Sequence, residues 1–72
     1  MAWLVTVPIW NKTTSSKDSA EAREFIESAP TEEGAKVGAM TDAAIEFPLA
    51  EGWAHDVDNV TVKNSVRRNF GP

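Results

Sequence analysis

The sequence contains no cysteine, no tyrosine and a single histidine, His55. A disulfide framework is therefore excluded, and one histidine cannot build a zinc site of the Cys/His kind. The longest apolar run, residues 2–5, is far shorter than the roughly 20 residues that a membrane-spanning helix needs. No basic residue precedes this run, so it is a poor secretory signal. We expect a cytoplasmic protein without metal or cofactor.

What remains is a short acidic chain of ordinary globular composition. It has 72 residues, of which 42% are hydrophobic and 25% charged, and its formal net charge is −4. This length predicts one domain, residues 1–72. A chain of this size buries only roughly 60% of the surface that its unfolded form exposes. Because no disulfide compensates, we expect a second copy or another partner to contribute to stability.

Residues 3–10 predict the clearest strand. By the two-residue period of a strand, one of its faces is wholly apolar and should meet the core: Trp3, Val5, Val7 and Ile9. Pro8 lies on the other face and lacks a backbone N–H. We therefore expect this strand either to lie at a sheet edge or to lose its pairing near Val7.

Two helices are predicted next, over residues 15–29 and residues 31–47. Ser15 is placed to cap the first helix and Thr31 the second, and a proline follows each helix. The apolar stripe of the first helix consists of Ala22, Phe25, Ile26 and Ala29. The stripe of the second helix consists of Val37, Met40, Ala44 and Phe47.

A last strand is predicted over residues 60–66, with Val60, Val62 and Val66 facing the core. The pattern leaves open whether residues 53–57 pair as a third short strand, and residues 69–72 are expected to form a flexible tail. The predicted fold class is α+β. It is a small β-α-α-β domain in which two helices pack on one face of a two- or three-stranded sheet.

Signatures of catalysis are lacking. The sequence has no Gly-rich phosphate loop, no G-x-S-x-G and no H-E-x-x-H motif. A general acid–base pair could come from His55 with Asp56 or Asp58, or from helix carboxylates. A solvated histidine among turn-forming acids is the simpler interpretation, so we expect no enzymatic activity.

Charge is distributed unevenly along the chain. Residues 17–58 hold all eleven acidic residues, whereas residues 59–72 hold none and carry Lys63, Arg67 and Arg68. Ordinary helix solvation explains this pattern, and so does an acidic surface that steers a partner such as a nucleic-acid-binding protein. We do not expect direct binding of nucleic acid, because three cations make few phosphate contacts. The partner-binding candidates on the acidic side are Glu21, Glu24, Glu27, Glu32 and Glu33.

Three tryptophans are many for a chain of 72 residues. Trp3 and Trp10 lie on opposite faces of the first predicted strand, so something must cover Trp10 if Trp3 is in the core. Trp10 and Trp53 either pack together as a small cluster or serve as anchors for a partner. Aromatic side chains are favoured anchors in interfaces, so these two are the first candidates.

The order of residues 5–10, a polar turn, residues 19–25 and a late valine-rich strand resembles small acidic strand–helix–strand accessory proteins of tailed bacteriophages. Some of those proteins bind and disable a host enzyme, such as RNA polymerase or a defence nuclease. The resemblance implies a non-enzymatic protein-binding module that inhibits or modulates a host macromolecule in the host cytoplasm. The alternative is a small structural or assembly protein of a virion, which oligomerises by extending its sheet.

Overall fold

The computed structural model describes residues 2–64, in which one α-helix packs on a four-stranded antiparallel sheet. Strand β1 (Ala2–Asn11) lies in the middle, and β2 (Glu21–Ser28) pairs along one side of it. Helix α1 (Glu32–Glu46) follows. Then β3 (Trp53–His55) and β4 (Thr61–Asn64) pair along the other side of β1. The α+β class is confirmed, whereas the predicted arrangement with two helices is wrong.

Strand β1 has the predicted apolar face. Val5, Val7 and Ile9 are 0–1% exposed and form the centre of the core, and Trp3 packs beside them. The indole Nε1–H of Trp3 donates to the carbonyl of Ala29, at a distance of 2.9 Å. This bond gives the buried indole nitrogen a partner in the segment that leads from β2 into α1.

Of the two alternatives for Pro8, the place at a sheet edge is wrong, whereas pairing near Val7 is interrupted on one side of β1. The carbonyl of Pro8 accepts a hydrogen bond from the backbone N–H of Asp56, at 2.9 Å. The proline nitrogen faces the same side, because N and O of one strand residue point in the same direction. On that side pairing with β4 ends at Thr6 and pairing with β3 begins at Ile9. The missing N–H therefore falls in the gap between two short strands.

The segment predicted as the first helix, residues 15–29, forms strand β2 after a 3-10 turn at Lys17–Ser19. Ser15 does not cap a helix, since its backbone N–H donates to the carbonyl of Asn11 at 2.8 Å. Of the predicted apolar stripe only Phe25 is buried, and Ile26 is 67% exposed. The long-range pairing decides the structure here, because without β2 one whole side of β1 would have unpaired backbone groups.

Helix α1 begins where the sequence predicts it. The Oγ1 atom of Thr31 accepts a hydrogen bond from the backbone N–H of Gly34, at 3.1 Å. Glu32 and Glu33 lie in the first turn, where the helix dipole favours negative charge. No helix within residues 2–64 is long and apolar enough to cross a lipid bilayer.

The predicted packing face of α1 is wrong. The fully buried residues of the helix are Ala35, Ala39 and Ala43, whereas Val37 is 65% exposed. Met40 and Phe47 are half-buried at the margin of the core. The reason is volume: β1 already contributes β-branched side chains, so alanine on the facing helix lets the two layers approach closely.

Strands β3 and β4 complete the sheet. Trp53–His55 is the third short strand that the sequence left open. Val60 and Val62 pack against the core, as predicted. The predictions for Val66, for Arg67 and Arg68 and for the tail at 69–72 lie outside the described residues.

Candidate interaction surface

Helix α1 covers only one face of the sheet. Within residues 2–64 no helix covers the other face, which we call the open face. Strand alternation and register assign its residues. They are Ala2, Leu4, Thr6, Pro8 and Trp10 of β1, Ala22, Glu24, Ile26 and Ser28 of β2, Ala54 of β3, and Thr61 and Lys63 of β4.

Apolar side chains predominate on β1, the middle strand of the open face. The register places Leu4 beside Ile26 and Trp10 beside Ala54. Leu4 and Trp10 are only half-buried, and Ile26 is 67% exposed. With Pro8 these side chains form a mainly apolar strip along β1, which the polar side chain of Thr6 interrupts. Exposed apolar surface of this kind is what protein partners cover.

Charged residues flank this strip on both sides. Glu24 on β2 is opposite Thr6, and Lys63 on β4 is opposite Leu4. Both charged residues are exposed. An apolar centre with a polar rim is the ordinary anatomy of a protein interface.

The structure separates the two tryptophans that the sequence singled out. Trp10 lies on the open face beside Ala54, whereas Trp53 lies on the covered face opposite Asn11. The ring of Trp53 meets the ring of Phe47 edge to face, with 5.0 Å between centroids and 71° between planes. Trp53 thus has a partner within the chain, and Trp10 is the aromatic residue of the open face.

The five glutamates do not form one acidic helical face, because Glu21, Glu24 and Glu27 are on strand β2. Glu24 is on the open face, while Glu21 and Glu27 are on the covered face. Glu32 and Glu33 lie in the first turn of α1. The acidic surface predicted from helical spacing is therefore divided among three places on the molecule.

Glu27 is the one glutamate of this set that is not exposed. Its carboxyl group reaches across to α1, where it lies against Gly38 and hydrogen-bonds to the side chain of Asp42. Its Oε2 atom is enclosed and has no hydrogen-bond partner within residues 2–64. Burial first, and then the neighbouring carboxyl group of Asp42, raise the pKa of Glu27 from 4.5 to about 7.

His55 and Asp56 have structural partners. The Nε2–H of His55 donates to the carbonyl of Phe47 at 2.9 Å, because a carbonyl can only accept. The buried carboxylate of Asp56 accepts from Nδ2 of Asn59 at 2.7 Å and lies 3.8 Å from Nζ of Lys17. In residues 2–64 no group of three or more acidic or histidine side chains is placed to hold a metal ion.

A second exposed apolar area lies on the outer side of α1. Val37 and Ile45 are 65% and 72% exposed, and Met40 and Ala44 lie between them. Ile26 on the open face and Val37 in this area were missed as surface residues, because both were assigned to predicted apolar stripes. A strict two-residue alternation applied to residues 21–28 would have placed Ile26 and Glu24 on one face.

Comparison of the chain with protein-family models, with curated protein sequences and with solved structures finds no match.

Proposed function

We propose that this chain is a non-enzymatic protein-binding module that docks a partner on its open face. The observation that carries the proposal is the strip in which Leu4, Ile26 and Trp10 remain partly or largely exposed on the uncovered side of the sheet. Burying such a strip stabilises a complex by about 25 cal/mol for each Å² of apolar surface removed from water.

Trp10 is the proposed anchor of this interface. A tryptophan combines a large apolar area with an indole N–H, and truncation of such anchors dominates the loss of binding energy in interfaces. Glu24 at the rim favours a partner with a basic residue near the docked position. The net charge of −4 also favours a basic partner, because it attracts positive charge over a longer range.

The resemblance to small accessory proteins of tailed bacteriophages favours one class of partner. It extends the proposal to a host enzyme or nucleic-acid-binding protein whose activity the chain inhibits or modulates. In this proposal the chain blocks or holds its partner by contact and transfers no chemical group.

The test is affinity capture from host lysate followed by mass spectrometry, with paired variants. Ile26→Ser on the open face and Ile45→Ser on α1 remove the same side chain from similarly exposed positions. A partner that the wild type and Ile45→Ser retain, and that Ile26→Ser and Trp10→Ser lose, supports the proposal. Equal retention by all four proteins contradicts it. Far-UV circular dichroism of each variant confirms that the fold is intact.

A second candidate function is a small structural or assembly protein that extends its sheet across subunits. The observation in its favour is the outer side of β2, to which no strand of residues 2–64 is paired. Sedimentation over a dilution series tests this candidate. An assembly protein forms defined oligomers, so a chain that stays monomeric at high concentration contradicts it.

A further inference from the structure

The outer edge of β2 is an unused pairing site. The strand is eight residues long and is paired through its inner side along its whole length. Within residues 2–64 its outer N–H and C=O groups meet no other strand. Such an edge is a template for another strand unless charges of the same sign repel it.

We infer that two copies of this chain pair through this edge, β2 against β2 in antiparallel orientation, with Arg23 of each copy opposite Glu27 of the other. The inference rests on the second candidate function, and it names the partner, the edge and the register. It is independent of the open face, which such a dimer leaves free on both copies.

Symmetry limits the choice of register. In an antiparallel pair of identical strands the twofold axis is perpendicular to the sheet, so a residue can only be opposite a residue of the same face. With Phe25 opposite Phe25, Arg23 is opposite Glu27 twice and Glu24 is opposite Ile26. This register places no like charges directly opposite one another.

The neighbouring registers are worse. Moving the twofold axis by one residue toward the start of β2 places Glu24 opposite Glu24 and Glu21 opposite Glu27. Like charges directly opposite one another destabilise a strand pair. Moving the axis by one residue toward the end of β2 places Ile26 opposite Ile26. This register shortens the pairing and removes both Arg23–Glu27 pairs. The charge pattern of β2 therefore selects one register.

The charges around the Glu27 carboxyl group agree with this register, because no ion pair within residues 2–64 includes it. Its Oε2 atom is enclosed without a partner, and its nearest titratable neighbour is the acid Asp42. Arg23 points to the same face of the sheet and its side chain is 49% exposed, with its guanidinium 3.3 Å from Glu21 and 5.4 Å from the Phe47 ring centroid. Side chains directly opposite one another on paired strands lie within contact. The guanidinium of the second copy then supplies the cation that Glu27 lacks.

The dimer also gives the outer side of α1 a neighbour. Because the twofold axis preserves the faces of the sheet, both helices lie on the same face, one on each side of the axis. Gly38 and Asp42 lie above β2. Thr41 and Ile45 form the next row of side chains on the helix, on the side that faces away from β1. This row, with Ile45 72% exposed, is directed toward the helix of the second copy.

Sedimentation velocity of two complementary charge variants tests the inference. Arg23→Glu and Glu27→Lys each place like charges opposite one another in a homodimer, so each alone should weaken self-association by at least roughly tenfold. In an equimolar mixture, the glutamate introduced in one variant is opposite the lysine introduced in the other, and the native Glu27 is opposite the native Arg23. The mixed dimer should therefore re-form. The measurement is made at about pH 8, where Glu27 is ionised.

Two further variants control for the change in net charge and for a loss of stability in Glu27→Lys. Lys12→Glu makes the same charge change as Arg23→Glu at an exposed loop position and should dimerise like the wild type. Glu27→Gln removes the charge with little change in size and should weaken the dimer even if Glu27→Lys loses stability. A wild type that stays monomeric up to millimolar concentration overturns both this inference and the second candidate function. A wild-type dimer that Arg23→Glu leaves unchanged overturns the proposed β2–β2 pairing but not the second candidate function, because the chain then associates in another way.

Discussion

The carboxyl group of Glu27 on β2 lies against Gly38 of α1, in space that a side chain at Gly38 would occupy. Asp42, one helical turn further along, presents a second carboxyl group to the same place. From β1, the residue opposite Glu27 is Trp3. In residues 2–64 neither acid forms an ion pair. The helix and the sheet therefore meet at two acids that hydrogen-bond only when one of them holds a proton.

We expect the monomer to become less stable as pH rises through the pKa of Glu27. In the folded chain this pKa is about 7, above the ordinary value of 4.5, so the folded state binds more protons between these values. The stabilisation is present at low pH and is lost as the carboxyl group ionises. Allowing for solvent screening, the loss is on the order of 1–2 kcal/mol. Urea unfolding at low protein concentration, from about pH 5 to about pH 8, measures it.

Glu27→Gln provides the decisive comparison for this pH dependence. The amide cannot ionise, so the variant should lose most of the fall in stability between about pH 5 and about pH 8. Glu24→Gln removes a carboxyl group from the exposed face of the same strand and should leave the fall in place. If the stability of Glu27→Gln falls with pH as steeply as that of the wild type, Glu27 is not the group responsible.

Replacement of two helix glycines by alanine should have opposite consequences. At Gly34 a Cβ atom would lie 3.4 Å from Cβ of Ala29, an ordinary contact, so Gly34→Ala should stabilise the chain by up to about 1 kcal/mol through helix propensity. At Gly38 the Cβ atom would displace the carboxyl group of Glu27, which offsets that gain. The melting temperatures of the two variants, each compared with that of the wild type, test this difference.

A double variant separates propensity from collision at Gly38. In the background Glu27→Ala the carboxyl group is gone, so adding Gly38→Ala should then stabilise the chain as Gly34→Ala does. Equal effects of Gly38→Ala in the wild type and in Glu27→Ala would show that the two residues do not interact.

Local signals in the sequence predicted the elements that local forces determine. The two-residue alternation of β1 identified its buried face, and Thr31 with the acids that follow it identified the start of α1. Strand β2 could not be identified in this way. Its residues show no alternation of polar and apolar side chains, and they match a helical stripe. The strand is determined by pairing with β1, which is distant in the sequence.

The candidate surfaces depend on the same long-range pairing. The sequence placed Trp10 on the face opposite Trp3, and that placement is confirmed. The neighbourhood of Leu4 and Ile26 follows only from the β1–β2 register. The contact of Glu27 with Asp42 needs both that register and the absence of a side chain at Gly38.

The alanine face of α1 should not accept larger side chains. Ala39 is 0% exposed between the helix and the sheet, so Ala39→Leu should force the layers apart and cost about 1–3 kcal/mol or more. Ala44→Leu makes the same substitution at an exposed position of the same helix and should change stability by less than about 0.5 kcal/mol. Urea unfolding of both variants measures the difference, and equal stabilities would mean that Ala39 does not set the distance between the layers.

Gly52, in the loop between α1 and β3, should not accept a side chain without loss of stability. Its φ angle is +94°, and its carbonyl accepts a hydrogen bond from the backbone N–H of Lys12 at 2.7 Å. A Cβ atom there would lie 3.0 Å from both Oδ1 of Asn11 and Cγ2 of Thr13, in addition to the strain of a left-handed backbone. Gly52→Ala should therefore cost about 1–3 kcal/mol.

The neighbouring substitution Glu51→Ala is the matched control for Gly52→Ala. Glu51 is exposed, and the interaction it makes with Nδ2 of Asn11 uses its backbone carbonyl, at 3.4 Å, so removing its side chain leaves that contact intact. Thermal unfolding should place Glu51→Ala near the wild type and Gly52→Ala several degrees below it. If Gly52→Ala melts together with the control, the loop adopts another conformation at no cost, and the hydrogen bond from Lys12 does not depend on the left-handed glycine.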